Sequence, residues 1–179
     1  DGAKNSVIRF GPPAIASAEV EKDSAQKPVQ FDGSTFVEIP AGDAFDLTTK
    51  DFTIAARLKT SEGGTLFALA PSGDNWTPDG QSFFVRDGKL CFDIGWVGVV
   101  TGKTKVNDGK WHNVSMTWES SARRVRLFVD GEADGEGTLA AKATLPNSVL
   151  RIGLTSPDFP QPNTYFTGEL AEVRFYQRA

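Results

Sequence analysis

The stretch DGKWHNVSMTWESSARRVRLFVDG, residues Asp108 to Gly131, decides the fold of this chain. It begins and ends with Asp-Gly turns, at 108–109 and 130–131. Between these turns, apolar residues alternate with polar ones in two runs, and an alternation of period two is typical of β-strands. The short polar break at Ser120–Ala122 predicts that the two runs pair as an antiparallel hairpin.

One register of this hairpin buries every large apolar residue on the same face. It places Trp118 opposite Val125 and sets Glu119 opposite Arg124 as a favourable cross-strand charge pair. The other apolar pairs in this register are Met116 with Leu127 and Val114 with Val129. The stretch therefore predicts two neighbouring strands that line the interior of a β fold.

Composition and charge limit the classes of protein to which the chain can belong. Its 179 residues suit one domain with a sizeable core, and its 18 glycines and 10 prolines favour many short strands. A formal charge of −4 argues against nucleic-acid binding, which requires basic surface. No apolar run approaches the roughly 20 residues of a membrane helix, so we expect no membrane insertion. Cys91 is the single cysteine, so no intrachain disulfide can form.

The central stretch also carries a family resemblance. Asp-Gly-x-Trp-His-x-Val, followed by a hairpin and then Leu-Phe-Val-Asp-Gly, resembles the signature of laminin-G-like domains of the concanavalin A-like lectin/glucanase superfamily. Phe31–Pro40 resembles the early strand of these domains and Phe166–Tyr176 resembles their closing strand. The resemblance implies an all-β fold, a two-sheet antiparallel β-sandwich or jelly roll. It further implies a binding role and an extracellular, cell-surface or periplasmic location.

We expect residues 1–179 to form a single laminin-G-like domain. The chain begins at Asp1 and not at Met, so we expect it to be part of a larger protein. The remaining strands are predicted from local alternation. Val29–Phe31 and Phe36–Ile39 are expected to flank a turn at 32–34, and Phe52–Leu58 is expected to turn at Gly63-Gly64 into Leu66–Ala70. Weaker expectations are strands at Val7–Phe10 and Ile15–Glu21 and a loop anchor at Phe45–Leu47.

A second hairpin, Ser82–Ile94, turns at Asp87-Gly88. A two-residue loop pairs Val85 with Leu90 and Phe83 with Phe92, which predicts one buried apolar face. The opposite face carries Ser82, Phe84, Arg86, Lys89, Cys91 and Asp93. Because that face mixes aromatic, charged and polar groups, we expect it to face a ligand.

Aromatic residues near polar ones suggest where a sugar would bind. A pyranose packs an apolar face on an aromatic ring while polar side chains bond its hydroxyls. The candidate platforms are Trp76, Trp96 and Tyr165, and the candidate polar partners are Asp74, Asn75, Arg86 and Asp93. Trp76 is expected to be exposed in the long turn-rich loop 71–81, whereas core packing of Trp96 stays open as an alternative.

Two motifs invite a catalytic interpretation. Glu132-x-Asp134-x-Glu136 matches the acidic pattern that related glucanases aim into a cleft, where one Glu attacks the sugar and another protonates the leaving oxygen. Its intervening residues are Ala and Gly and not apolar strand formers, which favours a solvated acidic edge and no catalytic residue. His112 is the only histidine, and its place in the family motif favours a structural role.

The resemblance leaves a calcium site open, because many laminin-G-like domains hold Ca²⁺ with oxygen ligands. The family often has Asp before the Glu-Val-Arg of the closing strand, where this chain has Ala171. Asp32, Glu169 and Glu172 are the remaining candidate ligands. No other cofactor is implied.

The sequence thus favours a non-catalytic binding module whose partner is a polysaccharide or glycan. The alternative is a protein–protein adhesion or architectural domain that uses the same loops. A third and weaker hypothesis is a glycoside hydrolase that uses Glu132 and Glu136.

Overall fold

The computed structural model describes residues 27–41, 49–141, 145, 148–159, 164–176 and 178–179. These residues form strands and no helix, so none of them builds a helix that could cross a membrane. The strands are β1 (Val29–Asp32), β2 (Val37–Pro40), β3 (Phe52–Pro71), β4 (Gln81–Arg86), β5 (Lys89–Ile94), β6 (Gly98–Lys105), β7 (Trp111–Glu119), β8 (Arg124–Val129), β9 (Glu132–Thr138), β10 (Ser148–Ile152) and β11 (Thr167–Tyr176). The expectations for 7–10, 15–21 and 45–47 lie outside the described residues.

The strands form two antiparallel layers, which confirms the two-sheet β-sandwich expected from the sequence. In sheet A the strand order is β1-β11-β3-β7-β8-β9. In sheet B the order is β2-β10-β3-β4-β5-β6. Apolar side chains from the inner faces of both sheets form one large core.

Strand β3 belongs to both sheets. Residues 52–63 pair within sheet A, and residues 64–71 pair within sheet B. The change occurs at Gly63-Gly64, where φ is 145° and 108°, values that favour glycine. A side chain at Gly64 would overlap the carbonyl oxygen of Tyr165. The expected turn at Gly63-Gly64 is therefore wrong: the two glycines let one long strand bend from one layer into the other.

The β7–β8 hairpin has the register predicted from its apolar pattern. Trp118 faces Val125, and the buried pairs Met116 with Leu127 and Val114 with Val129 follow. Glu119 faces Arg124, with Glu119 Oε2 2.6 Å from Arg124 Nη2. The β4–β5 hairpin likewise has its predicted pairs, Val85 with Leu90 and Phe83 with Phe92.

Strands β1 and β2 flank the turn at 32–34, as expected from the sequence, but each pairs with a different strand. Strand β1 pairs with β11 in sheet A, and β2 pairs with β10 in sheet B. The turn therefore carries the chain from one layer to the other. This connection makes β1 and β2 the outermost described strands at one side of the sandwich.

Candidate functional site

The outer face of sheet B is where sequence analysis placed the ligand. The β4–β5 register puts Phe84 beside Cys91, Ser82 beside Asp93 and Arg86 beside Lys89 on this face. Ser82, Phe84 and Cys91 are nevertheless buried. Two loops cover this part of the sheet. The 72–80 loop joins β3 to β4, and the 153–166 loop, of which the structure describes residues 153–159 and 164–166, joins β10 to β11. The open part of the face is therefore smaller than predicted.

Trp76 lies under this cover and not on the surface. Its ring packs edge-on against Phe159 with centroids 5.0 Å apart, and Phe159 packs in the same way on Phe84 at 5.2 Å. Together with Ala70 and Cys91 these rings form a second apolar cluster outside the main core. Trp76 is only 7% exposed, so the expectation of an exposed sugar platform at this residue is wrong. Its role is to hold the 72–80 loop against the sheet.

Polar contacts fix the two loops to each other. Asp158 Oδ1 accepts hydrogen bonds from the backbone N–H of Trp76 at 2.5 Å and from Ser156 Oγ at 2.9 Å. A carboxylate that accepts from both loops in this way holds them at a defined distance.

Arg151 on β10 makes a second connection. Its side chain is 5% exposed, and Nη2 donates to the carbonyl of Gly73 at 2.8 Å while Nη1 donates to that of Thr155 at 2.9 Å. Its Nε donates to Glu38 Oε2 at 2.7 Å, which supplies the countercharge that a buried guanidinium needs. The structural role of Arg151 was not predicted from the sequence; the one signal for it was a single charged residue in the apolar run of β10.

Buried hydroxyl groups anchor the 153–166 loop to the sheet beneath it. Thr155 Oγ1 lies 2.5 Å from Ser82 Oγ and 2.7 Å from Thr65 Oγ1, and Thr65 Oγ1 donates to the carbonyl of Thr164 at 2.7 Å. Since each hydroxyl can donate once and accept as well, the three satisfy one another in a chain. These contacts hold Thr155 and Thr164 of the loop against β3 and β4.

Trp96 is the exposed aromatic of this region. It lies in the turn after β5, where the backbone N–H of Val97 donates to the carbonyl of Ile94 at 2.8 Å. Gly95 donates to the carbonyl of Gly80 at 2.8 Å, which fixes the turn to the 72–80 loop. Trp96 has a φ of 58°, which is unusual for so large a residue, and its side chain is 72% exposed. The alternative of core packing for Trp96 is therefore wrong.

Asp93 and Val99 lie on the two strands that flank the turn with Trp96. They are paired neighbours on β5 and β6, and Val99 is 43% exposed. Burial raises the pKa of Asp93 to about 6, although the positive charge of Arg86 acts in the opposite direction. This end of the hairpin thus carries an exposed aromatic residue, an exposed apolar residue and a partly buried carboxyl group.

Arg86 lies at the other end of the hairpin, but its side chain follows the sheet. Its Cζ is 4.7 Å from the ring centroid of Phe84 and 5.9 Å from that of Phe159. The Nε and Nη2 atoms of Arg86 are buried and have no hydrogen-bond partner. Such a group needs an explanation, because a buried charged donor without an acceptor is unfavourable.

The other predicted site residues are dispersed. Asp74 and Asn75 are exposed in the 72–80 loop, which contacts the turn that holds Trp96. Tyr165 is half-buried, and its ring packs edge-on against Phe36 with centroids 6.2 Å apart. Because Phe36 precedes β2, we do not include Tyr165 in the site around Trp96.

The acidic motif on β9 does not present its carboxylates together. Glu136 is exposed opposite Arg126, with Oε2 2.9 Å from Arg126 Nε. A bulge shifts the strand register between Ala133 and Gly135, so the alternation needed to aim all three acids at one place is broken at Asp134. Glu132 and Glu136 therefore do not form the arrangement of a glycosidase.

Asp134 instead connects the two sheets. It is buried, and its carboxylate accepts hydrogen bonds from the backbone N–H groups of Lys103 at 3.2 Å and Thr104 at 2.8 Å. These amides belong to β6, the last strand of sheet B, whereas β9 is the last strand of sheet A. The side chain thus joins the two outermost strands on this side of the sandwich.

His112 bonds two side chains and not the backbone groups of a typical strand-start histidine. Its Nδ1 lies 2.8 Å from Asp130 Oδ2 and its Nε2 lies 3.1 Å from Asp108 Oδ1. Burial alone would lower the pKa of His112, but the hydrogen bonds to both aspartates outweigh it and raise the pKa. In turn, His112 lowers the pKa of Asp130, and hydrogen bonds from Lys110 and His112 lower that of Asp108 to about 2. The histidine therefore ties together the Asp-Gly turns at both ends of the deciding stretch.

The candidate calcium ligands are occupied by other partners. Asp32 Oδ1 accepts from the backbone N–H and the hydroxyl of both Ser34 and Thr35, and the bonds from Ser34 in particular lower the pKa of Asp32 to about 2. This is an Asx-type turn, which needs no ion.

Glu169 and Glu172 form ion pairs in sheet A. Glu169 Oε1 lies 2.9 Å from Lys59 Nζ, and Glu172 Oε2 lies 2.9 Å from Arg174 Nη2. Within the part of the chain that the structure describes, no three His, Cys, Asp or Glu side chains are grouped so as to hold a metal ion. These carboxylates therefore do not fit a calcium site.

The fold and these motifs agree with a comparison against known families. The laminin G model of the concanavalin A-like lectin/glucanases superfamily matches residues 31–179. The chain belongs to this superfamily. A mouse protein, sushi, von Willebrand factor type A, EGF and pentraxin domain-containing protein 1, is 44% identical over 93 residues, which cover 46% of this chain and 3% of that protein. The laminin-G-like domain therefore corresponds to a small part of its curated relative.

Solved structures show the same fold at lower identity. Domains LG4-5 of the mouse laminin α1 chain superpose with a TM-score of 0.66 at 18% identity, over 95% of this chain and 47% of the laminin chain. The CBM40 domain of the Ruminococcus gnavus IT-sialidase, bound to α2,3-sialyllactose, superposes with a TM-score of 0.65 at 11% identity, over 84% of this chain and 89% of that domain. At these identities the likeness shows the fold of the superfamily.

Proposed function

We propose that this laminin-G-like domain is a non-catalytic carbohydrate-binding module that acts outside the cell as part of a larger protein. The observation that carries the proposal is Trp96, a tryptophan that is 72% exposed on a turn fixed by backbone hydrogen bonds. Exposing the indole to water and holding the Trp96 backbone at a left-handed φ both cost free energy in the unbound domain. Such strain commonly accompanies a binding role.

The surroundings of Trp96 suit a sugar. The ring offers a flat apolar surface for the C–H face of a pyranose, and Val99, on the strand that follows the turn, is also exposed. Asp93, three residues before Trp96, and Asp74 and Asn75 on the adjoining 72–80 loop can bond hydroxyl groups. The site would thus combine apolar area with a few polar groups, as saccharide and other small-molecule sites do.

The comparisons are consistent with this function. The relatives are a laminin domain, a domain of a protein with pentraxin and EGF modules, and a sialidase domain whose structure holds a sialylated sugar. Their names support a role in binding and an extracellular location. We extend both to this chain as part of the proposal.

The test is binding to a panel of soluble polysaccharides by affinity gel electrophoresis, together with a glycan array. We expect Trp96→Ala to weaken binding at least about fivefold, because an anchoring aromatic residue contributes more than about 1 kcal/mol at a binding site. The control is Phe36→Ala, which removes another exposed aromatic residue, 42% exposed, from a different part of the surface. Both variants should keep the wild-type melting temperature within a few degrees.

Retention of wild-type sugar binding in Trp96→Ala would refute the site. Failure of the intact domain to bind any saccharide in either assay would refute the function.

A protein–protein adhesion role is the second candidate, and one observation favours it. Strand β2 is the outermost described strand of sheet B, and it begins next to Phe36, with Val37 37% exposed and Tyr165 against the Phe36 ring. An apolar strand edge of this kind can receive a polypeptide. In that case Phe36→Ala, and not Trp96→Ala, would abolish binding to a partner protein.

A further inference from the structure

One edge of the Arg86 guanidinium group has no hydrogen-bond partner, and this edge indicates a chemical group that the ligand would carry. Nε and Nη2 lie on the same edge of the guanidinium group, where together they form the fork that bonds both oxygens of a carboxylate. Both atoms are buried without a hydrogen-bond partner. The other charged side chain buried near this face, Arg151, has each of its nitrogen atoms bonded. Arg86 therefore differs from the arginine that serves the structure.

Two aromatic rings hold the guanidinium group, but they accept no hydrogen bond from Nε or Nη2. The rings of Phe84 and Phe159 lie 4.7 and 5.9 Å from Cζ, so aromatic groups cover the guanidinium while its edge stays unbonded. Arg86 as a whole is only half-buried, so part of the residue is in contact with solvent. An incoming anion can therefore approach Arg86 from solvent and accept hydrogen bonds from Nε and Nη2 after a change in the side-chain torsions of Arg86.

From this geometry we infer that the ligand is an acidic saccharide, whose ring carboxylate is bound by the Arg86 fork while a neighbouring sugar unit packs on Trp96. The inference rests on the proposed sugar-binding function and adds the chemical class of the sugar. A strand rise of about 3.3 Å per residue puts the two ends of the β4–β5 hairpin roughly 17 Å apart. Because the Arg86 side chain lies over Phe84, the gap to Trp96 is shorter, and an oligosaccharide can span it.

Asp93 lies between Arg86 and Trp96 on the hairpin, so its carboxylate would repel the carboxylate of a bound sugar. Burial raises the pKa of Asp93 to about 6, so its carboxyl group takes up a proton readily when a second negative charge approaches. Once protonated, it no longer repels the ligand and can donate a hydrogen bond to it.

The experiment uses probe pairs that differ in the carboxylate. Isothermal titration calorimetry compares trigalacturonic acid with its methyl ester, and an N-acetylneuraminic acid-terminated trisaccharide with its neutral disaccharide core. The first pair tests a uronic acid and the second a nonulosonic acid, the two common sources of a ring carboxylate. We expect one acidic probe to bind about 10- to 100-fold more tightly than its neutral partner, as charge-assisted hydrogen bonds would give.

Arg86→Lys keeps the positive charge but cannot form the fork. We expect this variant to lose most of the preference for the acidic probe, because lysine cannot form two parallel hydrogen bonds to one carboxylate. The matched control is Arg124→Lys in sheet A, whose fork already bonds Glu119; it should leave both affinities unchanged. If Arg86→Lys does not fold, the Nε–H resonance of Arg86 in the wild type gives the answer. It should shift on addition of the acidic probe and not of the neutral one.

Equal affinity for the acidic and neutral members of both pairs would overturn the inference and leave sugar binding intact. The same conclusion follows if the acid preference is undiminished in Arg86→Lys, or if the Arg86 resonance does not respond to the acidic probe. Absence of binding to every saccharide tested would overturn the proposed function as well.

Discussion

Replacing Asp134 with Ala tests the connection between the outermost strands β6 and β9. The carboxylate of Asp134 accepts hydrogen bonds from two backbone amides, those of Lys103 and Thr104, and its side chain is buried. Alanine removes both acceptors and leaves the amides without partners. An unsatisfied buried donor costs about 1–3 kcal/mol, and these two are partly buried, so we expect a loss of about 2–4 kcal/mol in the free energy of unfolding.

The measurement is equilibrium unfolding in urea followed by tryptophan fluorescence, with thermal unfolding as a second observation. For a domain of this size each kcal/mol corresponds to roughly 2–4 °C, so the melting temperature should fall by about 4–16 °C. The control is Glu136→Ala on the same strand, which breaks only an exposed ion pair with Arg126 and should cost about 1 kcal/mol or less. A loss below about 0.5 kcal/mol in Asp134→Ala, or an equal loss in both variants, would refute the proposed connection.

Three further predictions concern stability and reactivity. Gly64→Ala should prevent folding, seen as loss of soluble protein, because the new Cβ would overlap a carbonyl oxygen, whereas Gly73→Ala meets no atom within 4 Å and should fold. Because the pKa of His112 is raised in the folded state, its contribution to stability is complete below its unfolded pKa of about 6.5 and is lost as pH rises through the folded pKa. Denaturant unfolding should thus show wild-type stability falling from pH 5.5 to 8.5, and a smaller fall in His112→Gln would confirm the source. Cys91 is buried and its pKa is raised by that burial, so an aromatic disulfide reagent should react with it only after denaturation; rapid reaction of the native domain would contradict its position.

The sequence was sufficient to predict the hairpin registers. In β7–β8, a shift of one residue would turn Met116 and Trp118 towards water, so the apolar pattern allows a single solution. The same reasoning applies to Phe83 and Phe92 in the other hairpin. These pairs are close in sequence, and local alternation therefore contains the information needed to predict them.

The site could not be predicted to the same depth, because distant segments determine it. Trp76 lies in a polar loop and looks exposed until Phe159, from a loop late in the chain, packs on it. Gly63-Gly64 has the composition of a turn, yet the pair serves to bend a continuous strand between layers. Trp96 and Arg86 were predicted as site residues from their positions on the hairpin, but the unbonded fork of Arg86 is visible only in three dimensions.

Because β3 belongs to both layers, the two layers should unfold together. To separate the two layers, the chain would have to break the backbone hydrogen bonds of β3 to β7 and β11 in one layer, or those of β3 to β4 and β10 in the other. A partly opened form with one intact layer is thereby disfavoured. The amide protons of β3 should then exchange with solvent only through complete unfolding. When the domain is stretched by its two chain ends in a force measurement, it should unfold in one step.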